Sequence, residues 1–169
     1  MSVLERLARA LRRTRASARA ERERRRSPVE QHQAPYGGDF EGVPEIVYDP
    51  MHDDLPDPGE VVWAWVPYEE DHGKGKDRPV LVIGRDGGFL LALQMSSQDH
   101  DQDAADEARW GRYWVDLGSG AWDDRRRPSE ARVDRILRLS PEGVRRIGAV
   151  LERDRFEEVA AGVRQHART

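Results

Sequence analysis

Apolar positions along the chain gather into three runs in quick succession, at residues 61–66, 80–83 and 89–95. The first is β-branched and aromatic, the second follows Arg78-Pro79, and each has the length of a strand, so three β-strands are predicted. Between the second and third, Asp86-Gly87-Gly88 supplies the positive φ that a tight hairpin needs, which makes those two strands antiparallel neighbours. Tyr113-Trp114-Val115-Asp116-Leu117 alternates as a fourth strand, after an acidic loop at 98–107, and residues 131–139 alternate as a fifth. Ser140-Pro141-Glu142 then reads as a helix start, with Val144, Ile147, Val150 and Leu151 on one face of a helix over 141–153. A second helix over 154–165 would place Phe156, Val159, Ala160 and Val163 on one face. Five short strands followed by helices predict a mainly β domain, a small barrel with C-terminal helices.

The first 58 residues follow a different pattern. Val3, Leu4, Leu7 and Leu11 recur at helical spacing among alanines and arginines, so residues 1–26 are expected to form an arginine-rich amphipathic helical arm. Residues 27–58 hold six of the ten prolines and read as a Pro-rich linker lying on or beside the domain, which leaves 59–169 as the barrel domain with its helices. Charge sharpens the division: the net −4 of the 169 residues splits into +7 over residues 1–26 and −11 over the rest. Arginines interrupt every apolar pair near the start, which argues against an export signal. Runs as short as 80–83 and 89–93 fall far below the ~18 to 20 residues that span a bilayer, so no membrane association is expected. The chain has no cysteine, which excludes disulfides, thiolate zinc sites and thiol nucleophiles and fits a cytoplasmic location.

The stretch richest in chemistry is Gly59-Glu60-Val61-Val62-Trp63, then Pro67, then a polar loop running to Arg78-Pro79-Val80-Leu81-Val82-Ile83. It resembles the PemK/MazF family of toxin ribonucleases from type II toxin-antitoxin systems, whose members open with a Gly-Asp/Glu-hydrophobic strand and return with Arg-Pro-hydrophobic. The resemblance covers residues 59–150. It implies an SH3-like barrel that forms a homodimer, cleaves single-stranded RNA or mRNA without a metal or other cofactor, and is silenced by an antitoxin protein. It further implies attack by the RNA's own 2′-hydroxyl, leaving a 2′,3′-cyclic phosphate and a 5′-hydroxyl.

Carried onto this chain, the resemblance singles out five catalytic candidates. Arg78 matches the family arginine at the start of the second strand, where a guanidinium can donate two hydrogen bonds to a phosphate gaining charge; the alternative is an edge arginine paired with a carboxylate. Ser96 stands where the family carries a threonine and could hold a phosphate oxygen, unless it only forms a turn; Ser97 beside it leaves an offset of one open. Arg132 and Asp134 match an Arg-x-Asp pair and share a strand face, with the base role implied for Asp134 and an acid or charge-stabilising role for Arg132; the alternative is a surface ion pair. His72 keeps a family histidine's offset from Arg78 and could shuttle protons, although Gly73-Lys74-Gly75-Lys76-Asp77 departs from the family's Glu-Gln-rich loop.

Lys74 and Lys76, the only two lysines, and Arg12 and Arg13 of the arm are candidate nucleic-acid contacts through phosphates. Among the tryptophans, Trp63, Trp65 and Trp114 read as core, leaving Trp110 and Trp122 as possible stacking partners for RNA. Asp99, Asp101 and Asp103 invite a calcium reading, but Ala104 and Trp110 stand where an EF-hand needs glycine and glutamate, so no metal is expected. The competing function is a catalytically inactive nucleic-acid-binding or regulatory module built on the same barrel.

Overall fold

The computed structural model describes residues 36–97 and 104–167. The arm, with Arg12 and Arg13, and the first part of the Pro-rich segment lie outside the described residues, as do Asp99, Asp101 and Asp103. Strands β1 (Glu60–Pro67), β2 (Gly75–Asp86) and β3 (Phe89–Ser96) form an antiparallel meander. Its second hairpin turns on Gly87-Gly88 between the paired Asp86 and Phe89, with Gly87 at φ 58°.

These strands are apolar in continuous runs because both faces of the meander are covered. One face sends Val62, Ala64, Val66, Val80, Val82, Leu90 and Ala92 into a layer shared with Leu137, Leu139 and Val144. The other sends Val61, Leu81, Ile83, Leu91, Leu93 and Met95 against Phe156, Val159 and Val163 of the C-terminal helix.

Strands β4 (Trp114–Gly118), β5 (Ser129–Arg132), β6 (Leu137–Leu139) and β7 (Val144–Val150) complete a seven-stranded sheet of order β4-β5-β3-β2-β1-β7, with β6 also paired to β3. Every pairing is antiparallel. Helix α1 (Ala104–Arg109) begins in the segment expected as an acidic loop and runs past its end, and α2 (Arg153–His166) is the expected last helix. The mainly β class therefore stands. Among the described residues no helix is long and apolar enough to cross a membrane.

Two elements differ from expectation. The single strand over 131–139 is two strands: Ala131 lies opposite Met95, and an unbroken strand would bring Leu137 opposite Phe89, yet Leu137 pairs with Ala92. The excess chain bends away at 133–136, where Arg135 is buried. The helix expected over 141–153 is a 3-10 turn (Pro141–Gly143) followed by β7. Its spacing of three has a β origin: Val144 and Ile147 face Ala64 and Val62, and one register irregularity falls between these pairs. This bulge skips Arg145 and so returns Ile147 to the layer that holds Val144.

Residues 36–58 pack on the sheet as an extended strap. Exposure alternates along 41–50, with Ile46 and Tyr48 turned toward the core and Glu45, Val47 and Asp49 outward. Backbone bonds hold the strap: Phe40 N–H to Ile136 O, Val47 N–H to Ile83 O and Asp49 N–H to Pro58 O. The Tyr48 hydroxyl donates to Leu151 O at 2.7 Å. The strap crosses so close that a Cβ on Gly84 would stand 2.3 Å from the Glu45 carbonyl oxygen.

Candidate nucleic-acid interface

The paired strands place Arg78 opposite Ala64 and Pro79 opposite Trp63, while Ser96 ends β3 opposite Glu130. Proline keeps the residue before it extended, so Arg78 continues β2 rather than turning away. Arg78, Lys76, Ser96 and Ser97 line one open cleft of about 330 Å³, together with Trp63, Asp123 and Arg127. Both serines face it, so an offset of one leaves a hydroxyl there either way.

Arg78 is half-buried and has no carboxylate partner among the described residues, which sets aside the edge ion pair considered from the sequence. Burial lowers its pKa from the ordinary guanidinium value, with Tyr68 acting in the opposite direction. An arginine remains charged despite such a shift, so a desolvated and unneutralised cation faces the cleft. Lys76 is exposed and likewise makes no ion pair among the described residues. Lys74, by contrast, pairs with Asp71 at 3.3 Å and is not on the cleft wall. His72 sits edge-on to the Tyr36 ring at 5.0 Å, also away from the cleft wall.

Arg132 and Asp134 come together, but as a buried brace. Arg132 is 5% exposed and Asp134 2%. The guanidinium donates to Asp134 through Nε at 3.0 Å and Nη2 at 2.8 Å, and its Nη1 reaches Glu69 at 2.9 Å. The Tyr113 N–H donates to Asp134 Oδ1 at 2.9 Å. Burial disfavours the Arg132 charge, and the bonds to Asp134 and Glu69 outweigh it, so its pKa is raised. The pair is therefore not the surface contact considered above, and neither residue lines the cleft.

Three cleft residues escaped the sequence reading. Trp63, expected in the core, is half-buried on the cleft, its Nε1–H donating to Trp122 O at 3.1 Å and the Arg146 guanidinium lying 4.7 Å above its ring. Asp123 receives Arg127 Nε–H at 2.8 Å and the Arg125 N–H at 3.0 Å, and the Arg127 bond above all lowers its pKa. The Asp-Asp-Arg-Arg-Arg run was a visible signal for this turn, but nothing in the sequence placed it beside β2. Of the two loop tryptophans, Trp122 lies in the cleft lining but is buried, with Nε1–H on Ser129 Oγ at 3.0 Å, whereas Trp110, 73% exposed, keeps an open face away from the cleft.

Residues 57–167 match the model of the PemK-like, MazF-like toxin of type II toxin-antitoxin systems. Similar solved structures include MazF (Form-I) from Deinococcus radiodurans, at 19% identity, covering 67% of this chain and 96% of that one with a TM-score of 0.49. Another is the MazE-MazF structure (Form-II) from the same organism, at 18% identity, with the same coverages of 67% and 96% and a TM-score of 0.46. No curated protein matches the chain. With the family model spanning most of its length, the chain belongs to the PemK-like, MazF-like toxin family of type II toxin-antitoxin systems.

Proposed function

We propose that this protein is a metal-independent endoribonuclease that cleaves single-stranded RNA by attack of the 2′-hydroxyl, the toxin half of a pair whose antitoxin silences it, and that it works as a homodimer. The observation that carries the reading is the cleft holding Arg78 and Lys76, two cations without a carboxylate partner among the described residues, beside Ser96. Arg78 then stabilises charge developing on the scissile phosphate, an electrostatic role whose loss typically costs about 10²- to 10³-fold in rate. Lys76 and the Ser96 hydroxyl hold phosphate oxygens.

The brace suggests a revised role for its members. A carboxylate 2% exposed and already holding Arg132 and the Tyr113 amide does not reach a substrate hydroxyl, so Arg132 and Asp134 are assigned to hold Glu69 and the end of β5 in place. His72, the other proton-transfer candidate, stands against Tyr36 away from the cleft wall, so the cleft chemistry is not assigned to it. The same sequestration of Asp134 favours one alternative, a module that binds RNA at Arg78 and Lys76 without turnover.

The test is incubation of the full-length protein with a long single-stranded RNA in EDTA, beside Arg78→Ala. Fragments ending in 2′,3′-cyclic phosphate, absent from the variant, are the expected result. RNA that is bound but left intact, with binding lost in Arg78→Ala, selects the module. Equal cleavage by both proteins removes this cleft from the chemistry.

A further inference from the structure

The turn that joins β4 to β5, residues 119–128, carries three consecutive arginines, Arg125, Arg126 and Arg127, none of which the proposed chemistry uses. Arg127 lines the cleft together with Arg78. Each of these two precedes a proline, Pro128 and Pro79, which holds the residue before it extended. Arg125 and Arg126 stand on the same turn, exposed and without a carboxylate partner among the described residues.

Hydrogen bonds fix the turn against the cleft. Trp122 is 4% exposed, its Nε1–H donates to Ser129 Oγ at 3.0 Å, and its carbonyl accepts from Trp63 Nε1–H at 3.1 Å, which ties the turn to the cleft wall. Asp123, 8% exposed, accepts from the Arg125 N–H at 3.0 Å and from Arg127 Nε–H at 2.8 Å, and its own carbonyl accepts from the Arg126 N–H at 2.9 Å. Arg126 is thereby kept at φ 52°, a left-handed backbone that arginine rarely adopts. Such a conformation persists only where its surroundings impose it, and here a buried aspartate does so beneath three cationic side chains.

The charge of this rim runs against that of the body, which is net acidic over residues 27–169. Lys76 and Arg78 lie in the cleft with Arg127, and Arg146 covers the Trp63 ring. Of the acids beside them, Asp123 is taken up by Arg127 and Asp77 by Arg145 at 3.0 Å, which leaves Asp124 as the exposed acid of the turn. The exposed large apolar side chains of the described residues all lie elsewhere. A fixed cationic rim without apolar flanks suits a phosphate backbone, which repeats its charge at every nucleotide, rather than a protein surface, whose contacts centre on buried apolar anchors.

We propose that this turn grips the phosphates of a single-stranded RNA that flank the one held at Arg78, with Arg127 at the cleft wall and Arg125 and Arg126 on the next positions along the strand. The proposal rests on the reading of the cleft as an RNA site and extends it: Arg78 acts on the scissile phosphate, while the turn supplies affinity and register without touching the reacting atoms.

The experiment follows the fluorescence anisotropy of a labelled 12-nucleotide single-stranded oligonucleotide with 2′-O-methyl riboses, which is closed to 2′-hydroxyl attack, on the full-length protein over a range of salt. Arg125→Gln/Arg126→Asn removes both free charges, and asparagine tolerates the left-handed position. It should weaken binding at least fivefold at low salt, and the slope of log affinity against log salt should flatten by about 1.4, two phosphate contacts at ~0.7 each. Arg155→Gln/Arg164→Gln on α2 removes equal charge away from the cleft and should change affinity less than twofold with the slope unaltered. With cleavable RNA the turn variant should raise KM and hold kcat within twofold, whereas Arg78→Ala lowers kcat. Unchanged oligonucleotide binding in the turn variant, equal weakening by the α2 variant, a fall in kcat with KM unchanged, or turn-dependent binding of a 12-residue leucine-glutamate peptide in place of the oligonucleotide would each overturn the proposal. Because the 2′-O-methyl oligonucleotide is never cleaved, its binding is read whether or not the protein turns RNA over, so the ribonuclease function and the grip of the turn fail separately.

Discussion

Arg135 donates to both carboxylate oxygens of Asp39, through Nε at 2.8 Å and Nη2 at 3.2 Å, across 96 positions of chain. Its Nη1 donates to the Pro67 carbonyl at 2.9 Å, so one side chain, 2% exposed, ties the strap to the end of β1 and to the bend between β5 and β6. Asp39 also accepts from the Tyr36 hydroxyl at 2.7 Å, and burial together with that bond raises the Tyr36 pKa.

Removing the acid leaves a buried guanidinium without its counter-charge, the costliest way to break such a pair. Asp39→Ala should therefore destabilise the fold by about 3 kcal/mol, read as a lower urea midpoint. Arg135→Met in the same background should recover part of the loss, because no charge is then stranded. A double variant as unstable as the single one would show that the charge is not what matters.

Asp134→Asn separates positioning from chemistry. The Asn Oδ1 can still accept the Tyr113 N–H, but the bidentate contact with Arg132 is lost, which should lower stability by about 2 to 3 kcal/mol. In the positioning role the pH profile of RNA cleavage keeps its shape while its height falls. Loss of the acid limb of that profile would restore Asp134 as the proton acceptor.

Glu60 sets a pH dependence of stability. It is 1% exposed, and burial raises its pKa despite the hydrogen bond from the Asp57 N–H at 2.9 Å. With the folded pKa above the unfolded one, the unfolded chain loses this proton first as pH rises. Stability from this group is then full at acid pH and declines as pH climbs through the folded pKa. Glu60→Gln can keep the bond to Asp57 and removes the buried charge, so it should be more stable than the parent at pH 7. The advantage should fade below pH ~4 in chemical denaturation across pH.

Gly84→Ala tests the strap crossing. A Cβ 2.3 Å from the Glu45 carbonyl cannot be accommodated without moving backbone, and overpacking of this kind typically costs about 1 to 3 kcal/mol. Faster amide exchange at Val47, whose N–H bonds Ile83 O, should accompany the loss and show that the strap has lifted. Protection at Val47 equal to the parent's would mean that the sheet, not the strap, yields.

The meander was legible because its signals are local: β-branched runs and an Asp-Gly-Gly turn each act within a few residues, although β2 begins at Gly75, three residues before the Arg-Pro pair. Helix α2 was legible for the same reason, its apolar residues following the helical period. In β7 the local signal misled. Val144 and Ile147 carry a helical spacing, but the partner strand β1 and the bulge between them decide for strand, and pairing with a distant segment leaves no mark on a short window. The break at 133–136 has the same origin, since it exists to let one edge of β3 receive β5 and then β6.

The candidate site divides along the same line. By itself the sequence determined which groups are present: Arg78 ahead of a proline, hydroxyls at 96 and 97, an Arg-x-Asp pair, and opposite net charges on arm and body. Tertiary structure alone decided that Arg78, Lys76 and Ser96 share a cleft with Trp63 and Arg127, and that Arg132 and Asp134 form a brace outside it. It also decided that the proline-rich residues 36–58 pack on the sheet as a strap. Residue identity fixes charge and hydrogen-bonding capacity; burial and the spacing of groups far apart in sequence exist only once strands from distant segments pair.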